Sequence, residues 1–169
     1  TLRSQEINLK EESRSSLSIN LKFNALDIKE ISYKDEVFHD ISMDFITLPN
    51  DEGKPNIPFV NRYIALPQGA TAKVVVNDYK MEIINDVNVI PSRGYFYENE
   101  KHNHDYIKYA DIYGKDEFYP SEIATLKNPT QLRGLDVIGL SISPVQYNPI
   151  TKELIVYNEI DISIEFDGG

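Results

Sequence analysis

In residues 146–166, QYNPITKELIVYNEIDISIEF, apolar side chains fall at Leu154, Val156, Ile160, Ile162, Ile164 and Phe166, a two-residue beat that suits a half-buried strand and no helix. Just before this beat, residues 147–152 have turn chemistry. Pro149 presets φ and the Asn148 side chain can bond its own backbone. A tight hairpin turn leading into a long strand is predicted. The preceding stretch 137–145, VIGLSISPV, is also β-rich and is expected to supply the other arm, which makes the C-terminal end a long antiparallel pair that earlier strands pack against.

The earlier chain supplies such strands. Residues 17–23 alternate apolar and polar, and Leu26, Ile28 and Ile31 follow closely. After residues 44–49, the cluster of Pro, Gly, Asn and Asp over 50–58 can continue neither strand nor helix and reads as a loop. Three further strands are predicted over 59–66, 71–79 and 81–90, divided by the Pro67-Gln68-Gly69 turn and a short break at Asn77-Asp78. No helical period of useful length and no internal repeat interrupts this pattern. The expected fold is all-β, an antiparallel β-sandwich or jelly-roll-like domain over residues 1–169.

At 169 residues and 41% hydrophobic content, the chain matches one globular domain, and its formal charge of −10 argues against a nucleic-acid partner, whose phosphates it would repel. The same charge disfavours self-association, so a monomer or weak associate is expected. No cysteine is present, which removes disulfide, thiolate and zinc-thiolate chemistry. No apolar run approaches the length of a membrane span, and no membrane partner is expected. Thr1 is not an initiator residue, so the chain is expected to be a trimmed piece of a longer product.

Residues 92–120, SRGYFYENEKHNHDYIKYADIYGKDEFYP, form the one long interval that does not scan as strands. A long excursion rich in Tyr either packs on the sheet or presents a contact surface, since Tyr combines large area with low entropy cost. Tyr95, Tyr97, Tyr106 and Tyr109 are the candidates for contact with a partner. The run His102-Asn103-His104-Asp105 would put two imidazoles on one face of a strand, but in a loop these are ordinary exposed side chains. Neither a metal nor a cofactor is expected.

Four segments occur in an order that resembles the N-terminal propeptide of gingipain-type (family C25) cysteine peptidases from Bacteroidetes. They are RYIALPQGA at 62–70, VIPS at 89–92, YGKDEFYP at 113–120 and VQYNP at 145–149, so the resemblance spans about residues 59–166. It implies a non-catalytic prodomain on a β-sandwich scaffold that helps the adjoining peptidase to fold and keeps it latent until cleavage. Its partner would be a peptidase domain of the same precursor, expected after residue 169. The location implied is secreted or cell-surface, with export through the periplasm.

By the same resemblance, residues 92–120 hold the inhibitory loop, with a basic side chain mimicking substrate in the specificity pocket of the peptidase. The candidates are Lys108 and Lys101, deepest along the excursion, and then Arg93 and Lys115 near its roots. A lysine there departs from an Arg-directed pattern. The alternative from another class is a carbohydrate-binding or adhesion module that stacks Tyr on sugar rings, although Trp, the usual platform residue, is absent.

Overall fold

A computed structural model describes residues 5–12, 16–94 and 105–168, the first of these segments by its backbone only. In chain order its elements are β1 (Gln5–Glu12), β2 (Ser16–Phe23), β3 (Asp27–Tyr33), β4 (Glu36–Ser42), β5 (Val60–Ala65), β6 (Thr71–Ile84), α1 (Ala110–Tyr113), β7 (Ala124–Leu126), β8 (Thr130–Leu132), β9 (Leu135–Ile142), β10 (Val145–Asn148) and β11 (Glu153–Asp167). Every pairing between these strands is antiparallel.

β11 is the strand on which the domain is assembled. It pairs with β6 over nearly its whole length, and with β10 and then β2 in turn, while β1 extends the sheet beyond β2. A second sheet holds β5, β9, β7 and β8, and β3 with β4 makes a separate hairpin. The alternation in β11 explains its place. Ile160, Ile162 and Ile164 are fully buried and meet Ile19, Leu21, Val60, Leu140 and Ile142 between the two sheets. Burial of each such aliphatic side chain stabilises the fold by roughly 1.5–3 kcal/mol. Leu154 and Val156, before a bulge at Asn158, enter a second cluster with Ile41, Met43, Ile57, Val87, Val89, Val145 and Tyr147. The fold is therefore an all-β sandwich, with β3 and β4 attached through the second cluster.

The turn after β10 follows its sequence chemistry. Asn148 stands opposite Glu153, and its Oδ1 accepts from the N–H of Ile150 (3.0 Å) and of Thr151 (3.2 Å). Two other sequence expectations are corrected. Residues 137–145 do not form one arm of a hairpin: β9 lies in the other sheet, and only the short β10 pairs with β11. Pro144 brings no N–H to a ladder, and buried Ser143 bonds locally to Val145, so the chain changes sheets there. The break expected at Asn77-Asp78 is instead a bulge inside one 14-residue strand. Asn77 Nδ2 donates to Ser163 Oγ at 2.7 Å, and Asp78 Oδ1 accepts from the Tyr79 N–H at 2.8 Å, so both polar residues are satisfied within the strand. β6 ends at Ile84. Val87 and Val89 are apolar because they fill the second core cluster from a connecting segment, where the N–H of Val87 donates to the Lys152 carbonyl at 2.9 Å.

Candidate functional site

The two described arms of the stretch after Ile90 both lie against the Pro/Gly-rich loop at 50–58. Ser92, 3% exposed, donates its N–H to the Lys54 carbonyl (2.8 Å) and accepts from the Gly53 N–H (3.0 Å). On the return arm, the Tyr109 N–H donates to the Gly53 carbonyl at 2.9 Å. Gly53 thus ties both arms. Its φ of +85° is a conformation that disfavours a side chain, and a Cβ there would sit 2.3 Å from the Tyr109 ring. Gly53→Ala is expected to cost about 1–3 kcal/mol and to loosen the loop root, read as a lower urea midpoint together with faster exchange of the Tyr109 amide.

Beyond Tyr109 the return arm is stitched to the core. It makes one helical turn, α1, and the half-buried Tyr113 hydroxyl donates to the Val89 carbonyl at 3.0 Å. Burial raises this phenol well above its ordinary pKa. Tyr119 and Tyr147 exchange both backbone hydrogen bonds at 2.8 Å. Asn148 Nδ2 donates to Asp116 at 2.8 Å, and Gln146 Nε2 to the Pro120 carbonyl at 2.9 Å. The hairpin turn of β10 and β11 therefore carries the end of the excursion.

The tip of the β3–β4 hairpin forms the other anchorage, through residues that the sequence did not single out. Lys34 and Asp35 both have positive φ, as a two-residue turn between Tyr33 and Glu36 requires. Lys34 Nζ (2.7 Å) and the Tyr33 hydroxyl (2.6 Å) both donate to Asp105 Oδ1. These two bonds hold the Asp105 carboxyl below its usual pKa. Lys108 Nζ lies 2.6 Å from Glu36 Oε2, which also accepts from Asn88 Nδ2 at 2.9 Å. Partial burial pushes the Glu36 carboxyl up, and the bonds from Lys108 and Asn88 more than offset that, leaving it below the usual value.

Aromatic contacts complete the cluster. The Tyr106 ring packs edge-on against Tyr33 and tilted against Phe38, with centroids 5.1 Å apart in both cases. The Arg93 guanidinium stacks 3.8 Å from the Tyr106 centroid. A recess of about 310 Å³ opens among Tyr33, Lys34, Glu36, Phe38, Asp105 and Lys108.

The structure thus brings Arg93, Tyr106 and Lys108 together at the loop root and leaves Lys115 apart, exposed just after α1. Tyr109 lies over Gly53 with 44% of its surface exposed. Lys101, Tyr95 and Tyr97 lie outside the described residues, as do His102 and His104. Among the described residues, no group of three or more His, Cys, Asp or Glu side chains is placed to hold a metal, and no helix is long and apolar enough to cross a membrane.

The C25 propeptide family model (Propeptide_C25) matches residues 2–169. The chain belongs to the C25 propeptide family. As such it is a non-catalytic prodomain of a cysteine peptidase zymogen. Gingipain R2 of Porphyromonas gingivalis is 34% identical to this propeptide over 115 residues, which are 68% of the chain and 16% of that relative. Lys-gingipain of the same organism is 24% identical over 156 residues, 89% of the chain and 9% of the relative. The propeptide therefore spans a small fraction of the curated proteins it matches. The solved complex of Porphyromonas gingivalis RgpB pro- and mature domains superposes with a TM-score of 0.85 at 26% identity, over 96% of this chain and 84% of that one. A structure bearing on the zymogenic latency of gingipain K from Porphyromonas gingivalis shares the fold, with a TM-score of 0.78 at 22% identity over 97% of this chain and 93% of that one.

Proposed function

We propose that this propeptide inhibits and helps to fold a gingipain-type peptidase domain carried after residue 169 of the same precursor, and that the loop at 92–120 covers the active site of that domain until cleavage. The observation that carries the reading is a loop whose two arms are rigidly tied, at Gly53 and at the β3–β4 hairpin, above a scaffold matching the RgpB prodomain. A tied root lowers the ordering cost of binding, which is how a long loop gains affinity. The folding role follows from linkage, because a domain that binds only the folded peptidase stabilises it, and the shared chain makes the effective concentration high.

Two of the four basic candidates are engaged within the domain, Lys108 by Glu36 and Arg93 by Tyr106. That favours Lys101, then Lys115, as the side chain offered to a pocket that selects cations. A zymogen of this class would act outside the cell or at its surface, after export through the periplasm.

The test is to add the purified propeptide to the cognate mature peptidase and measure hydrolysis of a peptide substrate. Stoichiometric inhibition is expected, and it should be lost when residues 96–103 are replaced by a short Gly/Ser linker. Retention on a glycan array without inhibition would overturn the reading in favour of a carbohydrate-binding module.

A further inference from the structure

β6 pairs only with β11 among the described residues, so the other edge of this 14-residue strand carries unpaired backbone groups. Long free edges are templates for another strand. The side chains along this edge are not neutral about what that strand is. Tyr79, Met81 and Ile83 project to one face of the sheet and remain 47%, 44% and 47% exposed, an apolar row of which the Tyr79 ring also meets Tyr157 edge-on. Lys80 and Glu82 alternate with them on the other face, both exposed, with Lys80 Nζ 3.6 Å from Glu159.

We propose that β6 is an isologous interface, pairing antiparallel with the β6 of a second copy of this chain about a two-fold axis at Met81. In that register Lys80 faces Glu82 of the other copy twice over, Tyr79 faces Ile83, and Met81 faces itself. Opposite charges and aromatic–β-branched pairs are the cross-strand combinations that stabilise antiparallel sheets. The neighbouring two-fold registers fail, because an axis at Lys80 sets Lys80 against Lys80 and an axis at Glu82 sets Glu82 against Glu82. Edge charge thus selects one register and the apolar row rewards it. The pairing joins two five-stranded sheets into one. It acts against the general repulsion of two chains of charge −10, which falls away with ionic strength while contacts at the edge persist. A pairing of this kind would oppose, at one edge, the monomer or weak associate expected from net charge. The proposal is independent of the role of the 92–120 loop, which lies elsewhere in the chain.

Sedimentation of the intact chain at moderate ionic strength, from micromolar to millimolar concentration, tests it together with hydrogen exchange of the amides from Asp78 to Ile84. Dimer formation is expected, with those of these amides that point away from β11 becoming protected as concentration rises, while those already bonded to β11 do not change. Glu82→Lys should weaken association by at least about tenfold, because the substitution enters a two-fold interface twice and turns an attractive pair into a like-charge one. Its thermal midpoint should match the parent, since position 82 is exposed. The double variant, Lys80→Glu with Glu82→Lys, restores opposite charges across the axis and should recover association, in part only, because the carboxylate introduced at position 80 would then face Glu159 of its own chain. A monomer at millimolar concentration overturns the proposal, as does a dimer indifferent to Glu82→Lys. Protection of the edge only on addition of the peptidase domain also overturns it, and would assign β6 to that partner.

Discussion

Ile160→Ala is expected to destabilise the propeptide by about 2–5 kcal/mol, the range for truncating a large aliphatic side chain in a core that cannot collapse. Ile160 is 0% exposed and stands between Leu21 of β2 and Tyr79 of β6, so ladders on both sides hold the backbone around any cavity. Against a typical domain stability of about 5–15 kcal/mol, this single change removes a large share. Ile150→Ala is the control. Ile150 is 51% exposed on the hairpin turn, and its truncation should stay within about 0.5 kcal/mol. Urea denaturation of the two variants separates them, and a loss at Ile160 no larger than at Ile150 would remove β11 from its central place.

The reading of β11 succeeded because its signal is local. A strand buried on one face needs an apolar side chain at every second residue, and the Asn-Pro turn before it has its own chemistry. What sequence could not tell was which sheet each strand joins. Residues 137–142 and 145–148 have the same β character, yet only the second group pairs with β11, because the choice rests on contacts of β9 with β5, β7 and β8 from distant parts of the chain. The 85–90 segment misled for a related reason. Val87 and Val89 are as apolar as strand residues, but they fill the core from a segment whose pairing is a single parallel bridge between Val89 and His39.

Among its described residues the 92–120 stretch forms no strand, in keeping with its lack of alternation, whereas the state of each cation described there was not legible. Depth along the chain ranked Lys108 beside Lys101, but depth in sequence is not freedom in space. Glu36, the partner of Lys108, is 72 residues away, and the ring beneath Arg93 belongs to the returning arm. Neither contact leaves a trace in local composition. The one available hint was the Lys34-Asp35 pair, a two-residue turn that predicts a hairpin tip with charge to spare.

Those engagements set up the sharpest expectation about latency. Lys101→Ala should weaken inhibition of the cognate peptidase by about 30-fold or more, the equivalent of the roughly 2 kcal/mol that marks an interface hot spot. A pocket selecting Arg or Lys must hold a carboxylate, and a cation entering it makes a charge-assisted bond out of water, while the acidic bulk of the domain contributes only long-range steering. The thermal midpoint of the Lys101 variant should barely move. Lys108→Ala should behave in the opposite way, lowering the midpoint by freeing Glu36 and the loop root while leaving most of the inhibition in place. Arg93→Ala is expected to follow Lys108, since its guanidinium is committed to Tyr106. Inhibition constants and melting curves for the Lys101, Lys108, Arg93 and Lys115 alanine variants distinguish these roles. A large loss of inhibition at Lys108 with an unchanged melt would mean that its bond to Glu36 is surrendered on docking. Four variants that all inhibit like the parent would move the source of latency from the loop to a face of the sandwich.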